Sequence, residues 1–155
     1  KQHVLAFAVV GDTQGDYKGV GGDGFFQWPV GDVGNVTAEV DYMNFNARPF
    51  IYTIGGEPTT LPAQRTIYTN LGFLFFDAHL QPFARYERLD YAPINEVEVN
   101  RAKEQQRIGG GLNYYVLGQN FKITPYYERV MPKVQPGTAQ IKDFNRFLTQ
   151  IQTSF

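Results

Sequence analysis

The residues of this chain whose types and spacing could act on a solute are charged side chains at alternate positions. Arg85 and Glu87 are two residues apart, and Lys122 lies an even number of residues before Glu128. Side chains at i and i+2 of a β-strand point to the same side, so these charges share a face with Thr, Asn, Gln or Gly. Such a face can attract or repel ions and small polar solutes through electrostatics. The six candidates are Arg85, Glu87, Arg107, Lys122, Glu128 and Arg146.

Metal chemistry has little support in the sequence. Asp12, Asp16 and Asp23 lie in the Gly-rich segment 11–24, but they lack the ligand spacing and the closing Glu of an EF-hand loop. A solvated surface loop is the better interpretation of that segment. The two histidines, His3 and His79, have no pattern of carboxylates around them. The sequence therefore predicts no metal site.

Covalent catalysis is equally weakly supported. The chain has no cysteine, which excludes disulfides, thiolate ligands and cysteine nucleophiles. Glu87 and Glu128 could in principle form a glycosidase-like carboxylate pair, but the sequence does not give their separation. No nucleophile motif occurs, so we expect no catalytic residues, no cofactor and no enzymatic activity.

The elements that must position the six charges are strands. Eight runs alternate between apolar and polar residues or are rich in β-formers, and several have the roughly 9 to 11 residues that a tilted strand needs to cross a bilayer. The second run contains Pro29, which must lie at a strand end or a bulge. The eight predicted strands are Val4–Gly11, Gly24–Val30, Asn35–Asn46, Ile67–Phe76, Leu80–Tyr91, Gln105–Leu117, Phe121–Val130 and Asp143–Phe155.

The links between these strands alternate strictly between long and short. Alternation of this kind places all long loops at one end of an antiparallel barrel and all tight turns at the other, which is typical of outer-membrane barrels. Water-soluble barrels generally do not separate long and short links in this way. The exceptions are a few ligand-binding barrels, whose long loops surround the mouth of the cavity. The long links are 12–23, 47–66, 92–104 and 131–142, and the short ones are 31–34, 77–79 and 118–120.

The composition fits the same class. Hydrophobic residues make up 43% of the chain and aromatic residues 15%, yet mean hydropathy is −0.34, as expected where apolar and polar positions alternate. The longest apolar run, Val4–Gly11, is far shorter than the roughly 20 residues of a transmembrane helix. A net charge of −1 leaves no basic footprint for nucleic acid.

Six aromatic residues fall on the apolar side of the predicted strands. Tyr suits the girdle of a membrane barrel, because its ring can lie in lipid while its hydroxyl reaches the headgroups. The alternative is that these rings pack the core of a soluble barrel, since alternation alone does not say which face points inward. The predicted membrane-facing residues are Tyr42, Tyr86, Tyr114, Tyr127, Phe147 and Phe155.

Four segments carry a resemblance to a known family, and together they cover nearly the whole chain apart from loops. They are GDTQGDYKGVGGDGFFQWPVGDVGNVTAEVDYMNF, LQPFARYERLDY, RIGGGLNYYVLGQNFKITPYYERV and FNRFLTQIQTSF. The chain resembles the C-terminal portion of bacterial outer-membrane porins of the phosphate-selective (O/P-like) type. The resemblance implies a water-filled, often trimeric barrel of about sixteen strands, of which this chain supplies the last half. It also implies that the terminal Phe155 is the signal read by the outer-membrane assembly machinery.

Phosphate selectivity is not carried over from the resemblance. Selective members of that family have a ladder of basic residues in the pore, for which Arg85, Arg107, Lys122 and Arg146 would be the counterparts. Acidic residues lie on the same predicted faces, however, and mixed charge largely cancels the long-range field in salt. These acids are Glu39, Asp41, Glu87 and Glu128.

The sequence thus predicts an all-β protein, a transmembrane antiparallel up-and-down barrel formed as one segment over residues 1–155. The expected function is a porin of the Gram-negative outer membrane that passes small hydrophilic solutes or ions by diffusion. Its expected partners are outer-membrane lipid, the assembly machinery and, as a homotrimer, two further copies. Two alternatives stay open: a closed eight-stranded barrel acting as an anchor or adhesin, and a soluble ligand-binding barrel. We further expect the first and last strands to pair with strands outside this sequence.

Overall fold

Eight antiparallel strands form one up-and-down sheet, as the sequence predicts. The computed structural model describes residues 3–14, 17–46, 52–54, 57–59, 63–76, 79–91, 104–117, 120–133 and 142–153. The sheet order is β1-β2-β3-β6-β7-β8-β9-β10, so each strand pairs with its neighbours along the chain. Its strands are β1 (Val4–Gln14), β2 (Tyr17–Val30), β3 (Gly34–Asn46), β6 (Gln64–Phe75), β7 (Leu80–Tyr91), β8 (Gln105–Tyr115), β9 (Phe121–Pro132) and β10 (Phe144–Thr153). A separate hairpin consists of β4 (Tyr52–Ile54) and β5 (Glu57–Thr59).

The sheet is open. Within the described residues, β1 and β10 are its two edges and are not paired with each other. The strands of this sheet are 10 to 14 residues long, and each of the eight agrees with its predicted run to within one residue at one end or at both. No helix in the described part of the chain is long and apolar enough to cross a membrane.

The first predicted long link is wrong. Residues 12–14 continue β1 and residues 17–23 belong to β2, paired from Gln14↔Tyr17 to Asp12↔Gly19 and beyond. The glycines that suggested a loop instead allow neighbours to come close. A Cβ on Gly19 would lie 2.8 Å from the Phe45 ring, and one on Gly21 would lie 3.0 Å from the Tyr42 carbonyl oxygen. A side chain at position 19 would force the Phe45 ring to move, and one at position 21 would make a tighter contact than usual, so glycine suits both strand positions.

The other links largely keep their predicted lengths. Short links 31–33, 76–79 and 116–120 join β2 to β3, β6 to β7 and β8 to β9 at one end of the sheet. The links that cover 47–63, 92–104 and 133–143 lie at the opposite end, and the first contains the β4–β5 hairpin, which the sequence did not predict. Pro29 stands one residue before the end of β2, beyond the last residue paired with β1. The prediction that this proline lies at a strand end is confirmed.

Cross-strand register divides the sheet into two faces, because residues directly opposite on paired strands point to the same side. The polar face is the side that carries the row Glu39–Asn70–Arg85–Gly109–Glu128–Arg146 and the positions two residues away from each along its strand. The apolar face is the other side and carries the row Ala38–Leu71–Ala84–Gly110–Tyr127–Phe147. Both names are used in this sense below.

Burial is reversed relative to a water-soluble sheet. The buried strand residues include Glu128 at 3% exposure and Thr124 at 5%, both on the polar face. Large hydrophobic residues of the apolar face are exposed, including Leu71 at 57% and Phe147 at 68%. Among the described strand residues, three large hydrophobic ones are exposed on the polar face: Val10 and Phe144 on the edge strands, and Met43 near the end of β3. The sheet therefore curls around its polar face and turns its apolar face outward, giving a β-barrel-like arrangement.

Candidate functional site: the polar face of the sheet

All six charged candidates lie on the polar face of β7 to β10. Alternation within each strand and the register between strands bring them into neighbouring rows. Arg85, Glu128 and Arg146 lie in one row across the sheet, in which Glu128 is directly opposite Arg146. Glu87 and Arg107 are opposite each other in the neighbouring row. The remaining candidate, Lys122, is opposite Tyr115 near the short turns.

Two ion pairs join adjacent strands on this face. Arg107 Nη1 donates to Glu87 Oε2 at 3.3 Å, and both side chains are about one quarter exposed. Arg146 Nε donates to Glu128 Oε1. The Glu128 side chain is only 4% exposed, whereas that of Arg146 is 37% exposed. Glu128 is thus a buried carboxylate whose negative charge is balanced by Arg146 on the edge strand β10.

Gly109 makes room for the Glu128 backbone. A Cβ at Gly109 would lie 2.3 Å from the Tyr127 carbonyl oxygen and 2.7 Å from the Cβ of Glu128. No side chain fits at these distances unless the backbone shifts. Gly109 and Gly111 therefore let β8 and β9 approach closely, and Gly110 does the same between β8 and β7, where a Cβ would lie 2.7 Å from the Phe83 carbonyl oxygen.

Arg85 is surrounded by aromatic rings. Its Cζ lies 5.2 Å from the ring centroid of Tyr68 and 5.4 Å from those of Phe83 and Tyr126. These distances are within the range of cation–π attraction. Its buried Nε has no hydrogen-bond partner among the described residues. Lys122 is placed similarly, with Nζ 5.9 Å from the Tyr115 ring centroid.

A hydrogen-bond network crosses the polar face on the side of the short turns. Thr124 Oγ1 donates to Asn113 Oδ1 at 2.7 Å, and Asn113 Nδ2 donates to Gln81 Oε1 at 2.9 Å. Gln81 Nε2 in turn donates to Thr37 Oγ1 at 2.9 Å. The hydroxyl of Tyr115 also donates to Gln81 Oε1, at 2.6 Å. We call Thr37, Gln81, Asn113, Tyr115 and Thr124 the Gln81 network.

The Gln81 network depends on a missing side chain on β6. Gln81 on β7 reaches Thr37 on β3 by passing over Gly72, which lies between them. A Cβ at Gly72 would be 3.0 Å from Thr37 Oγ1 and 3.1 Å from Gln81 Nε2. A contact over an intervening strand requires the polar face to be concave.

Charge is divided unevenly across the polar face. The polar-face positions of β1 to β3 carry carboxylates and, among the described residues, no basic side chain. Asp23 and Asp41 stand directly opposite each other on β2 and β3, an arrangement that destabilises a sheet. The β7 to β10 part carries four basic and two acidic residues, the six candidates. The acidic part consists of Asp12, Asp23, Glu39 and Asp41.

Five of the six predicted membrane-facing residues share the apolar face. Tyr42, Tyr114 and Tyr127 are 38%, 45% and 51% exposed, and Phe147 is the most exposed of the group. Tyr86 is half-buried on the same face. Phe155, the sixth, lies outside the described residues.

Sequence reasoning missed the Gln81 network and the rings around Arg85. Alternation placed Gln81, Asn113 and Thr124 on the charged side, but no sequence signal shows which side chains meet across strands. In the described part of the chain, no group of three or more His, Cys, Asp or Glu side chains is arranged to hold a metal ion.

What the polar face can do follows from its chemistry: it presents fixed charges of both signs and hydrogen-bonding groups. Comparison of the chain with family models, curated proteins and solved structures gave no match.

Proposed function

We propose that this chain forms part of an outer-membrane porin, a channel through which small hydrophilic solutes or ions diffuse passively. One observation carries the proposal: the charged and polar face of the sheet is buried and concave, while the apolar face is exposed. Transmembrane barrels have this arrangement, with an apolar band toward lipid and a polar interior.

Exposure of the apolar face would be unfavourable in water. Phe7, Val9, Leu71, Phe147 and Ile151 are each 57% to 84% exposed and belong to one face of one sheet. Contiguous apolar patches of more than a few hundred Å² on soluble proteins mark interaction surfaces or cause aggregation. In the hydrocarbon of a bilayer, the same residues would need no further cover.

The proposed mechanism is electrostatic and steric selection in a polar lumen. The acidic part on β1 to β3 and the mainly basic part on β7 to β10 would act on opposite ends of a polar solute, and no covalent step or cofactor is involved. Phosphate selectivity is not part of the proposal, because carboxylates share the lumen with every basic candidate. The protein would lie in the outer membrane of a Gram-negative bacterium and form a trimer.

The lumen proposed here belongs to a wider barrel, of about sixteen strands. Open edges are not stable in lipid, because every unpaired backbone group there costs several kcal/mol. Strands β1 and β10 would therefore pair with further strands. A specific observation favours the rival candidate, a closed eight-stranded anchor without a channel: the Gln81 network and the rings around Arg85 already fill much of the concave face, as side chains fill small barrels.

Conductance distinguishes these functions. The intact protein that carries this chain is purified in detergent and added to planar bilayers in potassium chloride, and we expect discrete, ohmic conductance steps. The 155-residue chain alone serves as the comparison and should give none. A chain that refolds alone into a stable, heat-modifiable, non-conducting barrel would establish the anchor instead. Solubility without detergent would overturn both membrane functions.

A further inference from the structure

The apolar face contains a depression beside two of the five charged side chains at the described strand positions of that face. It has a volume of about 360 Å³, within the size range of small-molecule sites. Ala38, Leu71 and Ala84 line it in one row across β3, β6 and β7, and their chain neighbours Glu39, Asn70 and Arg85, whose row belongs to the polar face, line it as well. Its wall is the neighbouring row Val40–Thr69–Tyr86–Ile108. We call this depression the β3–β8 groove.

Two arginines adjoin the groove. Arg129 on β9 is directly opposite Ile108, so it continues the wall row by one strand. Arg88 follows Tyr86 by two residues on β7 and points to the same face. Both side chains are exposed, at 57% for Arg129 and 44% for Arg88.

Each arginine keeps donors for a second anion. Arg88 Nε donates to Asp90 at 3.0 Å, and Arg129 Nη2 donates to Asp143 at 2.7 Å. A guanidinium has five N–H donors, of which one carboxylate oxygen engages only part. Phosphate oxygens accept such donors well, often from two nitrogens at once.

The charge of the apolar face is strongly one-sided. Its described strand positions carry four basic residues, Lys18, Arg65, Arg88 and Arg129, but one acid, Asp90. All five lie near the strand ends that lead into the links 15–16, 47–63, 92–104 and 133–143. The remaining length of each strand is uncharged on this face. A positive edge therefore borders an apolar band at one end of the sheet only.

From this juxtaposition we propose that the β3–β8 groove is a binding site for one membrane lipid with a net anionic, phosphate-containing headgroup. An acyl chain lies in the groove over Ala38 and Ala84, and the phosphate is held by Arg88 and Arg129. A zwitterionic lipid fills the groove equally well but is held less tightly, because its headgroup carries a compensating cation. The inference rests on the proposed membrane location of the apolar face, and it adds a specific lipid to that location.

Native mass spectrometry of the intact protein in neutral detergent micelles tests the site. Phosphatidylglycerol is the anionic probe, and phosphatidylcholine with the same acyl chains is the zwitterionic one. We expect one phosphatidylglycerol molecule to be retained more tightly than phosphatidylcholine. The double variant Arg88→Gln/Arg129→Gln should weaken phosphatidylglycerol binding by about 30-fold, since each basic residue near a lipid surface contributes about 1 kcal/mol. Its binding of phosphatidylcholine should hardly change.

Two further variants separate the groove from general effects. Ala84→Phe fills the groove and should weaken both lipids. Lys18→Gln removes a charge from the same face on β2, next to the groove but six residues from the position opposite Val40, and should weaken neither. Equal loss with Lys18→Gln, or full binding by Ala84→Phe, would overturn the site. Conductance is measured in parallel: a protein that conducts but retains no lipid refutes this inference alone, whereas one that never enters lipid refutes the proposed function as well.

Discussion

Glu128 shows how a single residue of the polar face depends on its neighbours. Its carboxylate is buried, faces Gly109 on one side and receives a hydrogen bond from Arg146 on the other. A buried charge that loses its partner keeps the full cost of its desolvation. The strand position of Glu128 is therefore tolerable only while Arg146 stays beside it.

We predict that Arg146→Gln destabilises the folded protein by about 2 kcal/mol. This is below the 3 to 5 kcal/mol typical of a broken buried pair, because Arg146 is 37% exposed and water screens part of the loss. Asp143→Asn is the control: its pair with Arg129 is more exposed and should contribute less than about 1 kcal/mol. Urea unfolding in lipid vesicles, followed by heat-modifiable gel mobility, measures both. Equal effects of the two substitutions would show that Glu128 does not need its partner. We also expect that adding Glu128→Gln to Arg146→Gln restores part of the lost stability, because it removes the unpaired buried charge.

Within a single strand, adjacent residues lie on opposite faces of the sheet, so one strand is enough to compare the two faces. On β1, Ala8 and Val9 are adjacent and both exposed, but Ala8 is opposite Asp23 on the polar face and Val9 belongs to the apolar face. The same substitution at these two adjacent positions therefore places the new side chain on opposite faces of the sheet in otherwise similar surroundings.

We predict that Val9→Arg impairs insertion into lipid vesicles much more than Ala8→Arg. Arginine on the lipid side of a barrel costs about 2 to 4 kcal/mol at the centre of the bilayer and less toward its surfaces. At position 8, the new guanidinium would lie opposite the carboxylate of Asp23 and away from lipid. Folding yield as a function of urea concentration gives the comparison. If Ala8→Arg folds no better than Val9→Arg, the assignment of the faces is wrong.

At the scale of the whole molecule, the uneven distribution of charge on the polar face arises only when several strands are brought together. Acids on β1 to β3 and bases on β7 to β10 are brought around one concave surface by the curl of the sheet. Opposite charges on opposite sides of a polar lumen would set which ions pass, and salt would weaken their effect beyond about one Debye length of 8 to 10 Å.

We predict that the double variant Asp23→Asn/Asp41→Asn shifts the selectivity of the channel toward anions. It removes the facing carboxylates of β2 and β3 and so lowers the attraction for cations. The reversal potential across a tenfold gradient of potassium chloride measures the shift, which should shrink in molar salt. Asp90→Asn serves as the control, because Asp90 lies on the apolar face and should leave the potential unchanged. An unchanged potential in the double variant would place these carboxylates outside the ion path.

The sequence alone determined the strands and the residues that share each face, because alternation with period two is a local property of the backbone. Arg85, Glu87, Arg107, Lys122, Glu128 and Arg146 were assigned to one face for this reason, and the register brings them together. The same local logic failed at residues 12–23, where the glycines suggest a loop, although Gly19 and Gly21 lie within a strand and have close neighbours there. The β4–β5 hairpin was missed because its three-residue strands are too short to alternate recognisably.

Only the tertiary structure decided which face is concave and which side chains meet on it. Alternation is symmetric: a polar-in and a polar-out sheet have the same pattern, so the burial of Glu128 and the exposure of Phe147 could not be derived from it. Gln81 meets Thr37 because Gly72 stands between them, a contact over an intervening strand that depends on curvature and register together. Such contacts join residues far apart in sequence, and no local pattern encodes the distance between them.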